Sequence, residues 1–384
     1  MRSVPRFPSP GLLAAFLVAA SVLPAPPAGG QEGGDPEPPA PPAAPPKPPE
    51  KPAPLDADLP PEREILREAK GDPRNLKPDS FPVLRGPAYT GVLDAKRMDP
   101  GEWVIGVVVG KTALAFPINV LNAHEIVVDE VEGVPILVCW CPLCRTGMVH
   151  DRRLGGEVLD FGHSGLLYRS SFLLYDLKTR SHWHHVKGRA LTGPMRGRRL
   201  DAIPSRFVRW DAWRKAYPGS RVLAKDPTSL DQTVDSFEPR NKNLRLQFGL
   251  GVEAGGEDRL YELGQLERMP LVQDSLGGVP IVVAYRPEGD TAVAWARTLD
   301  GTVLDLRRAA DGPDGLPRME ETGETPSVFD VVSGRCLSGP LKDRSLVPVR
   351  QCFWEVYAWT AHHPGGTMFR ASVPPPGDLP AVPR

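Results

Sequence analysis

Residues 138–148 read VCWCPLCRTGM, which puts three of the chain's five cysteines within six positions. Thiolates are nucleophiles, redox partners for one another and donors to soft metals. The Cys-Pro-Leu-Cys spacing of Cys141 and Cys144 is that of a metal knuckle, in which two thiolates and turn amides converge on one cation. A structural zinc site takes four ligands. The chain has no second C-x-x-C, so the remaining donors must be histidine, carboxylate or Cys139. Histidines are concentrated nearby: His124, His150, His163, His182, His184 and His185 are six of the eight. In the stretch SHWHH (181–185) a strand would project His182 and His184 from one face, as paired imidazole ligands do. The expected metal ligands are therefore drawn from Cys141, Cys144, His124, His163, His182 and His184, and soft sulfur beside imidazole selects zinc or copper.

The same thiols carry a rival reading, a thiol–disulfide couple of Cys141 and Cys144 with Cys139 beside them. In thioredoxin-like proteins such a motif opens a long helix, whereas RTGMVHDRRLGGE (145–157) reads as strand and turn. Cys336 and Cys352 stand alone, either paired with each other or unpaired in the core. A third reading makes the protein a non-enzymatic binding or scaffold module at the cell envelope. Hydrolytic chemistry finds no G-x-S-x-G elbow, phosphate loop or dinucleotide fingerprint. No catalytic residue is assigned.

The elements that position these residues occur twice. VDEVEGVPILVCWCPLCRTGMVHDRRLGGEVLDF aligns with VQDSLGGVPIVVAYRPEGDTAVAWARTLDGTVLDL at a fixed offset of 145. Asp129 falls on Asp274, Thr146 on Thr291 and Asp160 on Asp305; with the offset moved by one, Trp213 falls on Trp359 and Pro218 on Pro364. Features in both copies read as architecture, and features in one copy as candidates for function. Cys139, Cys141 and Cys144 align with Ala284, Arg286 and Gly289, so the backbone does not require thiols. Short runs of Val, Ile, Leu and aromatics punctuated by Gly, Pro and Asp predict strands, with LGGE and LDGT as equivalent hairpin turns. Phe207, Trp210, Trp213 and Tyr217 recur at helical spacing, as do Phe353, Val356, Trp359 and His363, and predict one amphipathic helix closing each copy. Proline ends both.

The fold class expected is mainly β (β-rich α+β): two homologous lobes from an internal duplication, each a small antiparallel sheet or barrel-like unit with one C-terminal helix, related by a pseudo-two-fold axis. The first copy spans 104–224 and the second 249–370, with a connector at 225–248 and a lead-in with a short helix at 62–103. Arg2 and Arg6 before GLLAAFLVAASVL, followed by small residues, predict a signal peptide over 1–28; an uncleaved N-terminal anchor is the alternative. Export to the periplasm or beyond is thus expected. The Pro-rich stretch to residue 61 and the tail 371–384 are too poor in large apolar groups to fold. A net charge of −1 without a basic face speaks against nucleic-acid binding. The sequence names no partner.

AHEIVVDEVEGVPILVCWCPLCRTG, LDFGHSGLLYRSSFLLYDLKTRSHW and GRALTGPMRGRRL resemble the bacterial and archaeal family called domain of unknown function 3179. The resemblance is close over 104–224 and weaker over the second copy. It implies no activity. It does draw attention to His124 and Glu125, to Cys141 and Cys144, and to Ser164–Tyr168, which match the family's pattern. His163, His182, His184 and His185 depart from that pattern, so a ligand set built on them would be a specialisation of this protein.

Overall fold

Both copies begin with a hairpin of alternating apolar residues. In a computed structural model that describes residues 59–71, 77–225, 247–287 and 289–372, a short helix α1 (Glu62–Glu68) precedes the first copy. The first copy then runs β1 (Trp103–Val109), β2 (Thr112–Pro117), α2 (Ile118–His124), β3 (Ile126–Val131), β4 (Val134–Cys141), β5 (Thr146–Asp151), β6 (Phe161–Tyr168), β7 (Ser171–Asp176), β8 (His182–His184), β9 (Ser205–Arg209) and α3 (Trp210–Ala216). The second repeats it as β10 (Phe248–Ala254), β11 (Glu257–Glu262), α4 (Leu263–Arg268), β12 (Leu271–Leu276), β13 (Val279–Arg286), β14 (Thr291–Ala296), β15 (Arg318–Glu321), β16 (Val328–Asp330), β17 (Arg350–Glu355) and α5 (Val356–His362). The export leader, the spacer before residue 59, the middle of the connector and the tail beyond 372 lie outside the described residues.

The mainly β expectation holds. Among the described residues each copy carries three small sheets and a two-stranded ribbon, all antiparallel among the labelled strands. In the first, β9 pairs with β1 and β1 with β2; β3, β4 and β5 form a meander, and β6, β7 and β8 another. In the second, β17–β10–β11, β12–β13–β14 and β15–β16 repeat the arrangement. The two predicted glycine turns are hairpins of equal length, Arg153–Leu154 with Glu157–Val158 and Thr298–Leu299 with Thr302–Val303.

One prediction is corrected in detail. The closing helices begin later than the aromatic spacing implied, because Phe207 and Phe353 lie on β9 and β17 rather than on α3 and α5. Their rings stack on each other, with centroids 5.0 Å apart, and Phe207 also stacks on Trp103 and Trp140. Extended backbone carries these equivalent residues into one shared core.

The helices are held by a close approach that only glycine allows. A Cβ on Gly106 of β1 would stand 2.3 Å from the indole of Trp213 on α3; one on Gly251 of β10 would stand 2.4 Å from Trp359 on α5. Burial of each indole, 0% and 3% exposed, contributes about 2–3 kcal/mol. Each helix also reaches the other copy. Ala212 and Ala216 of α3 pack against Leu316 and Val332 of the second copy. At the equivalent place on α5, the Tyr357 hydroxyl donates to Leu143 O at 3.2 Å and His362 meets Ser171 and His184 of the first copy. The first contact is apolar; the second adds hydrogen bonds to a core that Ala358 and Trp359 share with Cys144 and Met148.

Candidate thiolate–imidazole site

Strand alternation sorts the cysteine run. Val138 and Trp140 enter one core with Phe207, while Cys139 and Cys141 face another with Met148, Phe172 and Trp183. Pro142 follows Cys141 at the end of β4. The turn 142–145 closes through Arg145 in the left-handed region (φ 52°), and Cys141 pairs with Thr146. The loop therefore folds Cys144 back beside Cys141. All five cysteines are free thiols. Cys336 and Cys352 are not bonded to each other, because they belong to different cores.

The imidazole that joins the two thiols is His185. The Sγ atoms of Cys141 and Cys144 and a ring nitrogen of His185 lie within 4.8 Å of one another, and all three residues are wholly buried. Cys144 Sγ stands 3.9 Å from His185 Nε2. His185 Nδ1 donates to Phe172 O at 3.1 Å, so in the neutral ring the Nε2 lone pair faces the sulfurs. The Thr146 hydroxyl lies between them, 2.7 Å from His185 Nε2 and 2.9 Å from Cys144 Sγ. On the opposite side Ser171 Oγ donates to Cys144 Sγ at 3.3 Å.

The other predicted histidines are engaged elsewhere. His124 Nδ1 meets Pro82 O at 2.9 Å, and His182 Nδ1 meets Thr192 Oγ1 at 2.9 Å. His163 Nδ1 accepts from Gly165 N, so its Nε2–H donates to the buried Glu125 carboxylate at 2.9 Å. His184 Nε2 is 3.0 Å from His362 Nδ1. The physical reason is where the strand stops. β8 ends at His184, and His185 is the first residue of the turn that follows, where its ring stacks on Phe172 and on His184. His150 supports the arrangement from behind by donating Nε2–H to His185 O at 2.7 Å. A column of stacked rings, His163–Phe172–His185–His184, fixes the imidazole plane, with centroid spacings of 5.0, 4.6 and 5.3 Å.

Electrostatics separates the thiols. Burial, with Cys144 beside it, pushes the Cys141 thiol well above the ordinary thiol range, and burial alone pushes Cys139 up. Burial opposes ionisation of Cys144 too, but hydrogen bonds with Cys141, His185 and Ser171 outweigh it and hold that thiol well below its ordinary range. Cys144 is thus the more readily ionised sulfur of the pair, and the set can hold a soft metal ion or support thiol chemistry.

A profile built on proteins of unknown function, DUF3179, matches residues 78–237 and again 248–374. The chain belongs to the DUF3179 family. Each matched segment holds one of the two copies, and the site lies in the first. No curated protein and no solved structure matches it. Among the described residues, no helix is long and apolar enough to cross a membrane. Sequence reasoning missed His185 as the joining imidazole and His362 as its neighbour across the seam.

Proposed function

We propose that the first copy holds a transition-metal ion, zinc or copper, through Cys141, Cys144 and His185, and that the protein is exported and uses this centre for metal binding or electron transfer. The observation that carries the reading is the convergence of three soft or borderline donors within 4.8 Å in a fully buried pocket, with the imidazole tautomer fixed from behind. The spacing fits. Metal–sulfur and metal–nitrogen bonds of about 2.3 and 2.0 Å put S and N about 3.5 Å apart at a tetrahedral angle and about 3.7 Å apart at a trigonal one. The 3.9 Å between Cys144 Sγ and His185 Nε2 is near the trigonal value. Binding needs the thiols deprotonated, and the low-lying Cys144 thiol supplies the first thiolate. Export rests on the charged, apolar and small-residue layout of residues 1–28.

Elemental analysis of the full chain, purified under reducing conditions without chelator, tests this. Stoichiometric zinc or copper, lost in Cys144→Ser and His185→Gln, is the expected result; metal-free protein that also refuses added zinc and copper overturns it. The second reading, a Cys141/Cys144 redox couple, is favoured by the depressed Cys144 thiol alone. It predicts a reversible two-electron disulfide in mass spectra of metal-free protein. Complete burial of both sulfurs opposes exchange with a protein partner.

A further inference from the structure

The second copy has lost or never had the thiols, yet one of its residues stands at the thiol site. His362, at the end of α5, reaches Ser171, whose hydroxyl donates to Cys144 Sγ. We propose that the second copy completes the metal site: His362 is a positioning residue that, through Ser171, aims a hydrogen bond at the Cys144 sulfur and tunes the metal–thiolate bond. This rests on the metal reading above.

The direction of every hydrogen in this chain follows from groups with only one role. Val186 N–H and Lys187 N–H can only donate, and both point at His184 Nδ1, at 3.3 and 3.2 Å. The proton of neutral His184 is therefore on Nε2, and it points at His362 Nδ1 at 3.0 Å. That fixes the His362 proton on Nε2. The far end agrees, because His362 Nε2 lies 3.0 Å from Arg169 O, which can only accept, and 2.9 Å from Ser171 Oγ. With its oxygen accepting from His362, the Ser171 hydroxyl has its hydrogen free for the sulfur. Four groups thus line up, His184 to His362 to Ser171 to Cys144, each donating toward the thiol. Both imidazoles are neutral in this role, since Nδ1 of each accepts a hydrogen bond and so carries no proton.

The duplication separates architecture from addition. Asp330 stands where His184 does and caps the same turn, accepting from Ser333 N at 2.6 Å as His184 Nδ1 accepts from Lys187 N. Capping is common to both copies. What the histidine adds is a second nitrogen that can donate. Likewise His362 stands where α3 has Ala216, which makes an apolar contact. Two replacements on opposite sides of one seam, neither required by the scaffold, produce a single continuous chain of donors. The seam is also built to hold His362 in place. The hairpin turn at Arg169 and Ser170, both at positive φ, presents Arg169 O to the ring, while the Arg169 guanidinium donates to Ala361 O at 3.0 Å near the C-terminus of α5. Hydrogen bonds to a metal-bound thiolate draw charge from sulfur and set both its affinity and its electronic levels.

The test uses cobalt(II) as the probe in the full metal-free chain, because its sulfur-to-metal charge-transfer band reads the thiolate directly. His362→Leu removes both hydrogen bonds, and His362→Gln keeps an acceptor and a donor. In His362→Leu the band is expected to move to longer wavelength at unchanged stoichiometry, with cobalt bound roughly 10–100-fold more weakly. His362→Gln is expected to restore both. Ser171→Ala should reproduce the Leu variant and decides the matter should that variant fail to fold. Wild-type band position and affinity in His362→Leu or Ser171→Ala overturn the inference and leave the metal reading standing. Failure of the wild-type chain to bind cobalt, zinc or copper overturns both.

Discussion

The Nε2–H of His184 points at Nδ1 of His362, 3.0 Å away, so that an imidazole of one copy terminates on an imidazole of the other. Nothing in a single copy would bring these rings together. They meet because the end of each closing helix lies on its neighbour's sheet, and on this side of the molecule His362 stands where the equivalent seam has Ala216, while Ala358 keeps the place of Ala212.

The cysteine run divides by strand face and turn position, and single substitutions should read that division. Cys139→Ala removes a buried thiol outside the three-donor cluster, so full metal content is expected at a stability cost of about 1 kcal/mol. Cys141→Ser should abolish stoichiometric metal, as measured by elemental analysis of the same preparations. Loss of metal in Cys139→Ala would mean that the ligand set is wrong.

Gly106 and Gly251 make room for Trp213 and Trp359. Alanine at either position forces the indole or the strand to move, at an expected cost of about 1–3 kcal/mol each. Because the two sites are equivalent, the costs should be similar in urea unfolding. A neutral Gly106→Ala would show that the helix is not seated on this strand.

Stability should fall with acid on account of buried neutral histidines. His363 lies 3.6 Å from the Trp359 ring and meets Trp359 O at 3.1 Å; burial, then the nearby Lys187, pull it down to about 2. The unfolded chain protonates near pH 6.5 and the folded chain does not, so the contribution is complete above about pH 6.5 and is lost as pH falls from there toward about 2. The slope is about 1.4 kcal/mol per pH unit for such a group. His363→Tyr, which installs the residue of the first copy (Tyr217), should flatten the dependence by one group's share between about pH 6 and about pH 4.5. Equal slopes in the two proteins would contradict this account.

Asp330 is 3% exposed, ion-paired with Arg318, and bonded to the backbone and hydroxyl of Ser333 at 2.6 Å each. Asp330→Ala leaves the buried Arg318 guanidinium with Asp314 as its remaining carboxylate and removes the Ser333 bonds, at an expected cost of about 1–3 kcal/mol in denaturant unfolding. Metal content of the folded fraction should be unchanged, since the first copy holds the donors.

Much of this was legible beforehand. The 145-residue offset located the duplication, and turn residues and apolar alternation located most strands. The C-x-x-C spacing located two donors. His185 escaped because strand alternation was applied to His182 and His184, whereas β8 ends at His184 and the turn beyond it carries the joining imidazole. His362 could not be found that way. It lies 178 positions from His184, and only the packing of α5 across the seam joins them. Phe207 and Phe353 fitted a helical spacing while lying on strands, because the three-residue step from Phe207 to Trp210 spans the change from one conformation to the other.

The crossed helices bear on how the molecule comes apart. Tyr357, Ala361 and His362 form a wall of the leading half, and Ala212 and Ala216 form a wall of the trailing half. Melting either half strips the other of a side, so the halves cannot lose structure independently and must share a single cooperative transition. A half expressed alone would present an open greasy trough to solvent and self-associate. The duplication is in this sense irreversible: once the two units leaned on each other, neither could be discarded.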